Sequence, residues 1–120
     1  DGGILDYHLH WDYRALPAPG VVLYPHFQRS LVPGWLDKPF KRRHRPTAAL
    51  DNVLVLAPDP DWVRSLPGGK LPDRTDFKTY AASVPARQAA WTRAVAESER
   101  LADEFARWLD APDPARIEPL

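Results

Sequence analysis

The residues best suited to chemistry open the chain, in "DGGILDYHLHWDY". Asp6, His8, His10 and Asp12 fall on one parity, and Leu5, Tyr7, Leu9, Trp11 and Tyr13 on the other. Successive strand side chains point to opposite faces, so this alternation predicts an extended segment with one wet and one buried face. A His-x-His pair on one face can hold zinc through two imidazole nitrogens. A closed site needs more ligands, and His26 and His44 are the only further histidines. The polar face therefore reads as solvated or hydrogen-bonded, with no metal. There is no cysteine, which removes disulfides and thiolate metal sites. The second group is "KPFKRRHRP" (38–46), with Lys38, Lys41, Arg42, Arg43 and Arg45. Such a run can be a solvated loop, or it can meet phosphates of nucleic acid or anionic lipid headgroups. A formal net charge of zero argues against nucleic acid. Trp35 and Phe40 nearby favour a membrane interface, where aromatic rings are at home. "SLPGGK" (65–70) lacks the spacing of a phosphate loop and follows a helix pattern instead of opening one, so it reads as a helix stop and turn. Ser30, Ser65, Ser83 and Ser98 are the serines, and none lies in a G-x-S-x-G elbow.

These groups need elements to position them. A chain of 120 residues fits one ordinary domain or a piece of one, and 44% hydrophobic residues suffice for a core. It opens on Asp and not Met, which reads as a processed product or a fragment. No apolar run approaches the ~20 residues that span a bilayer. Fourteen prolines are more than twice the usual ~5%. They are spread along the chain, which predicts short elements separated by ordered, irregular loops.

"VVLYPHF" (21–27) reads as a β-branched strand stopped by Pro25. "RSLVPGWLDKPFKRRHRP" has no clean period and reads as loop with a short helix. "NVLVLAP" (52–58) is apolar on both parities, as in a parallel strand covered on both faces. Asp59 as cap, Pro60 at the first helical position and Gly68 beyond the end predict a short helix. Asp73, with Asp76 three residues on, predicts another. The longest element is an amphipathic helix over 85–109, capped near Ser83. Trp91, Val95, Ala102, Phe105 and Leu109 form its apolar stripe, widened by Leu101 and Trp108. Arg87, Glu97, Arg100, Asp103, Glu104 and Arg107 face outward. The pattern is α/β.

The ordered series Asp1-Gly2-Gly3 into "ILDYHL", then "VLYPHF", "VPGWLDK", "LDNVLVLAP" and "LPGGKLPDRTDF" resembles the C-terminal part of bacterial patatin-like phospholipases, over most of the chain up to about Tyr80. The resemblance implies a three-layer α/β/α catalytic domain of which residues 1–120 are the C-terminal portion. It implies a serine acyl hydrolase with a Ser–Asp dyad, no histidine and no cofactor. The aspartate of the D-G-[GA] motif would be Asp1, with Gly2 and Gly3 shaping its loop. The elbow serine and the glycine-rich oxyanion loop have no counterpart here and are expected upstream.

By that resemblance the substrate is a carboxylic ester of a phospholipid or related lipid, and the protein is cytoplasmic or peripheral to a membrane. A serine hydroxyl is a poor nucleophile until an adjacent base takes its proton. A carboxylate serves when it lies within about 2.6–3.2 Å and is partly desolvated. The alternative is a non-catalytic module that binds membrane or protein through residues 38–45, in which Asp1-Gly2-Gly3 is a turn.

Overall fold

The computed structural model describes residues 2–17 and 20–120. It resolves two compact units, an N-terminal one ending at Ala57 and joined by Pro119–Leu120, and a C-terminal one over Pro58–Glu118.

In the N-terminal unit the two apolar runs form strands β1 (Val22–Pro25) and β2 (Val53–Leu56). They pair in parallel, with Val22 opposite Val53 and Pro25 opposite Leu56. The pairing continues at both ends, where Val22 N donates to Asn52 O at 2.8 Å and His26 N to Leu56 O at 2.8 Å. The β1 nitrogens that donate to β2 are those of alternate residues such as Val22 and His26. Pro25 therefore falls where the nitrogen faces away from β2, and its missing N–H costs the pairing nothing. A parallel pair needs a long crossover. Here residues 26–52 make it with short 3-10 turns at Trp35–Asp37, Lys41–Arg43 and Ala48–Leu50. Leu31, Val32 and Leu50 from this crossover form the buried apolar core of the unit.

The opening segment corrects the alternation. Residues 5–13 form no strand. A 3-10 turn at Gly2–Ile4 leads into irregular chain, Leu9 takes a left-handed φ of 47°, and a second turn follows at Tyr13–Ala15. The faces are partly reversed as well. His8, expected on the wet face, is buried, while Leu5 is 87% exposed and Trp11 64%. With no neighbouring strand to take its backbone hydrogen bonds, a period-two pattern has nothing to hold it extended. The segment uses local acceptors instead. The Asp6 carboxylate receives His10 N at 2.9 Å and Trp11 Nε1 at 3.0 Å.

The C-terminal unit follows its local signals closely. Helix α1 (Pro60–Ser65) is capped by Asp59, whose carboxylate accepts from Asp61 N at 2.7 Å. Beyond it, Gly68 and Gly69 both adopt left-handed φ, 74° and 67°, so the Pro67–Gly69 turn requires them. Helix α2 (Asp76–Thr79) has Thr75 as cap, and Asp73 braces the turn before it. Asp73 Oδ1 accepts from Thr75 N and Thr75 Oγ1, while Asp73 N donates back to Asp76 Oδ2 at 3.0 Å. Helix α3 (Val84–Asp110) is capped by Ser83, whose Oγ accepts from Ala86 N.

The apolar stripe of α3 is rotated from the expected one. Trp91, Ala94, Leu101, Phe105 and Trp108 are the covered positions, whereas Val95 is 68% exposed and Leu109 52%. Glu97, expected outside, lies half-buried and gathers Arg93 at 2.8 Å and Arg100 at 3.0 Å. The chain is mixed α/β, with helices, a small parallel sheet and one long helix. The described elements by themselves do not make three layers.

One carboxylate organises the C-terminal unit. Buried Asp76 pairs with Lys70 at 2.7 Å and accepts from Trp91 Nε1 at 2.9 Å, so it joins the post-glycine turn, α2 and α3. The Lys70 ammonium holds its carboxyl below the usual carboxylate range. Phe77 meets Trp91 edge-on, with Arg87 over the Phe77 ring at 4.2 Å. Asp76→Ala leaves a half-buried indole N–H and a half-buried ammonium without their acceptor, and should cost about 1–3 kcal/mol. Asp76→Asn, which keeps one acceptor oxygen, should cost less. Urea denaturation midpoints of the two variants check the order, and equal midpoints to the parent chain would contradict it.

Candidate functional site

The residues with chemical potential in the N-terminal unit gather around the turn that follows Asp1. Asp1 itself lies outside the described residues, as do Ala18 and Pro19. Gly2 O accepts from Leu5 N at 3.1 Å and from Asp6 N at 2.9 Å, which closes the Gly2–Ile4 turn. The turn rests on the stretch 33–37. Tyr7 N donates to Pro33 O at 2.7 Å. Gly34 is buried under the turn, and a Cβ there would sit 2.7 Å from Ile4 O and 3.0 Å from Asp37 Oδ2. Glycine is required at 34 by this close approach of two backbones. Gly2 is the reverse: it is exposed, and a Cβ there would meet nothing within 4 Å. Gly3 lies in the same turn, half-buried.

A buried imidazole ties this platform together. His8 Nδ1 accepts from Val32 N at 2.8 Å, so the neutral ring carries its proton on Nε2. The Tyr24 hydroxyl donates to the His8 carbonyl. The ring stacks on Tyr7 at 4.3 Å and meets His26 edge-on at 4.4 Å. Burial is the main cause that lowers the His8 pKa from 6.5 to about 4, helped by the nearby His26, Lys38 and His44. His8 is neutral at pH 7 as a result. It bonds Val32, while the His10 ring turns to Thr47 Oγ1 at 2.9 Å, so the His-x-His pair serves two separate contacts. Among the described residues no three His, Asp or Glu side chains converge as a metal site would require.

The basic segment continues from the platform. Asp37 folds it back on itself: Oδ2 accepts from Gly34 N at 3.1 Å, Oδ1 pairs with Arg43 at 2.6 Å, and its carbonyl accepts from His44 Nε2 at 2.9 Å. The Arg43 guanidinium holds the Asp37 carboxyl below its usual range. Lys38 is half-buried, with its ammonium 4.0 Å over the Tyr7 ring and 5.5 Å from that of Trp35. Arg43 lies 5.1 Å over Phe40. Lys41, Arg42 and Arg45 are exposed, and no carboxylate pairs with them among the described residues. The five cations expected to act alike thus divide into two that are structural and three that are open.

Sequence reasoning missed Asp37, Gly34 and His8 as organisers, because their partners lie at distances that no local pattern encodes. It also took Lys70 as part of a plain turn, where the lysine belongs to the Asp76 node. Searches of protein-family models, of curated proteins and of solved structures find no match to this chain.

Gly34→Ala forces the Ile4 carbonyl away and should cost about 1–3 kcal/mol, as overpacking does. Gly2→Ala should leave the denaturation midpoint of the same chain unchanged. His8 gives a pH test. Its folded pKa lies below the unfolded value, so its contribution is intact above about pH 6.5 and is lost as pH falls toward 4. The loss should reach about 2–3 kcal/mol near pH 4.5. The depressed Asp37, Asp73 and Asp76 lose their share only below the ordinary aspartate range, and Glu97 and Glu104 begin to lose theirs in the ordinary glutamate range, so the part of the window above both reports His8. His8→Asn offers Val32 an amide oxygen at the same reach, and urea midpoints between pH 7 and pH 4.5 should then become flatter. An unchanged slope would remove His8 from the account.

Proposed function

We propose that the chain is the C-terminal part of a serine lipid acyl hydrolase of the patatin-like kind, with Asp1 as the general base of a Ser–Asp dyad. The observation that carries this reading is the supported turn at Gly2–Ile4. A base must be held still beside its nucleophile, and the turn following Asp1 is fixed from below by Pro33 and Gly34 while Gly2 stays open. The open space at Gly2 is what a close-approaching elbow serine requires. Much apolar surface in the same unit is uncovered, including Leu5, Val21, Leu23 and Phe27. That surface suits a chain whose sheet is continued by further strands and a further layer, as a three-layer α/β/α domain would supply.

In this reading a serine on the upstream part attacks the ester carbonyl carbon and gives its proton to the Asp1 carboxylate. The alcohol departs with that proton, leaving an acyl-enzyme. Water, deprotonated by Asp1, then releases the fatty acid and restores the serine. Backbone N–H groups of the upstream loop would stabilise the oxyanion. His8 is excluded as the base by its burial and its bond to Val32, which fits a dyad without histidine.

Asp1→Asn in the protein bearing its upstream region should lower ester turnover by about 10²–10⁴-fold, the usual contribution of a general base. The denaturation midpoint should stay where it was. Full retained activity on phospholipid and on short-chain ester substrates would sink the assignment. Loss of activity together with loss of fold would make Asp1 structural.

A further inference from the structure

Beyond the hydrolase reading, and independent of it, the geometry points to a peripheral anchor for anionic lipid bilayers in the segment from Trp35 to Arg45. Three apolar side chains of this segment are about half open to solvent: Trp35 at 49% exposure, Leu36 at 61% and Phe40 at 55%. Lys41, Arg42 and Arg45 are exposed in the same short stretch and have no carboxylate partner among the described residues. Cations also sit on the aromatic rings themselves, Lys38 by Trp35 and Arg43 over Phe40. A ring with its face against a cation and its edge free is suited to the headgroup depth, where it meets acyl carbon and phosphate together.

The segment is also held in shape. The Asp37 carboxylate receives Gly34 N and Arg43 and its carbonyl receives His44, so both 3-10 turns of the segment close on one residue. The amphiphilic surface is therefore ordered before any contact. Less ordering entropy is then lost on binding than a flexible loop would lose. The exposed apolar groups favour a bilayer over a nucleic acid. The whole chain has no net charge, so neither polyanion attracts it at long range and the local surface decides. Three open cations beside three open apolar groups instead match a surface that is anionic outside and apolar beneath. Anionic headgroups attract each such cation by about 1 kcal/mol near the surface.

Co-sedimentation of the 120-residue chain with vesicles tests this without reference to ester turnover. The chain should partition onto phosphatidylcholine vesicles containing phosphatidylglycerol, weakly onto phosphatidylcholine alone, and less at high salt. Replacing Lys41, Arg42 and Arg45 together by Gln should lower the partition coefficient on the order of a hundredfold, three cations' worth. Trp35→Ala with Phe40→Ala should remove the part of the binding that survives high salt. The Gln variant alters exposed cations and its denaturation midpoint should match the parent, whereas the Ala variant loses the rings beside Lys38 and Arg43 and should stay folded with a lower midpoint. Equal binding to neutral and anionic vesicles, or an unchanged partition coefficient in the Gln variant, would overturn the proposal. So would capture of a duplex oligonucleotide or an acidic peptide by a chain that ignores vesicles. If Asp1→Asn leaves esterase activity intact while the vesicle result holds, the dyad fails and the anchor stands.

Discussion

The N-terminal unit depends on a histidine kept dry. His8 satisfies a backbone N–H of the crossover with its ring, and its own carbonyl takes the Tyr24 hydroxyl from β1. Three stretches distant in sequence meet at that one residue. The arrangement works only with an unprotonated Nδ1, so its cost is the exclusion of charge from the interior. Everything above it, including the turn at Gly2–Ile4 and the stretch 33–37, is positioned by that choice. The uncharged ring also leaves the nearby Lys38 free to rest on Tyr7 instead of being driven away.

The C-terminal unit solves the matching problem with the opposite charge logic. Asp76 is buried as an ion because Lys70, the Trp91 indole and a backbone N–H together use its acceptor sites. A buried ion pair by itself is weak support for a fold. One carboxylate that crosslinks a turn and two helices is a different matter, since it fixes the orientation of α3 at its N-terminal end. The turn that delivers Lys70 needs two consecutive left-handed residues, which Gly68 and Gly69 provide.

What could be read from the sequence was whatever is decided locally. The Asp59 and Ser83 caps, the two β-branched runs and the long helix are each set by a few neighbouring residues, and they appear close to where the pattern puts them. "DYHLHWDY" shows the limit. Period two marks a strand only when a partner strand accepts its hydrogen bonds, and here the chain breaks the alternation with a left-handed Leu9. The rotated stripe of α3 has a similar source. Trp91 is drawn toward Asp76, which lies 15 residues earlier, and the helix settles on the face that this bond selects. The basic run was visible as a composition, but its division into held and open cations needed Asp37 in place. The role proposed for Asp1 rests on the resemblance alone.

Gly68 and Gly69 are glycine for a reason that Gly2 does not share. At Gly68 and Gly69 the backbone itself forbids a side chain, so any lineage that keeps this turn must keep glycine there. Gly2 has ordinary room around it and no left-handed backbone. Drift could replace it with alanine at no expense to this fold. Where descent nevertheless preserves a glycine at that position, the selecting agent is something that comes to rest against the chain from outside.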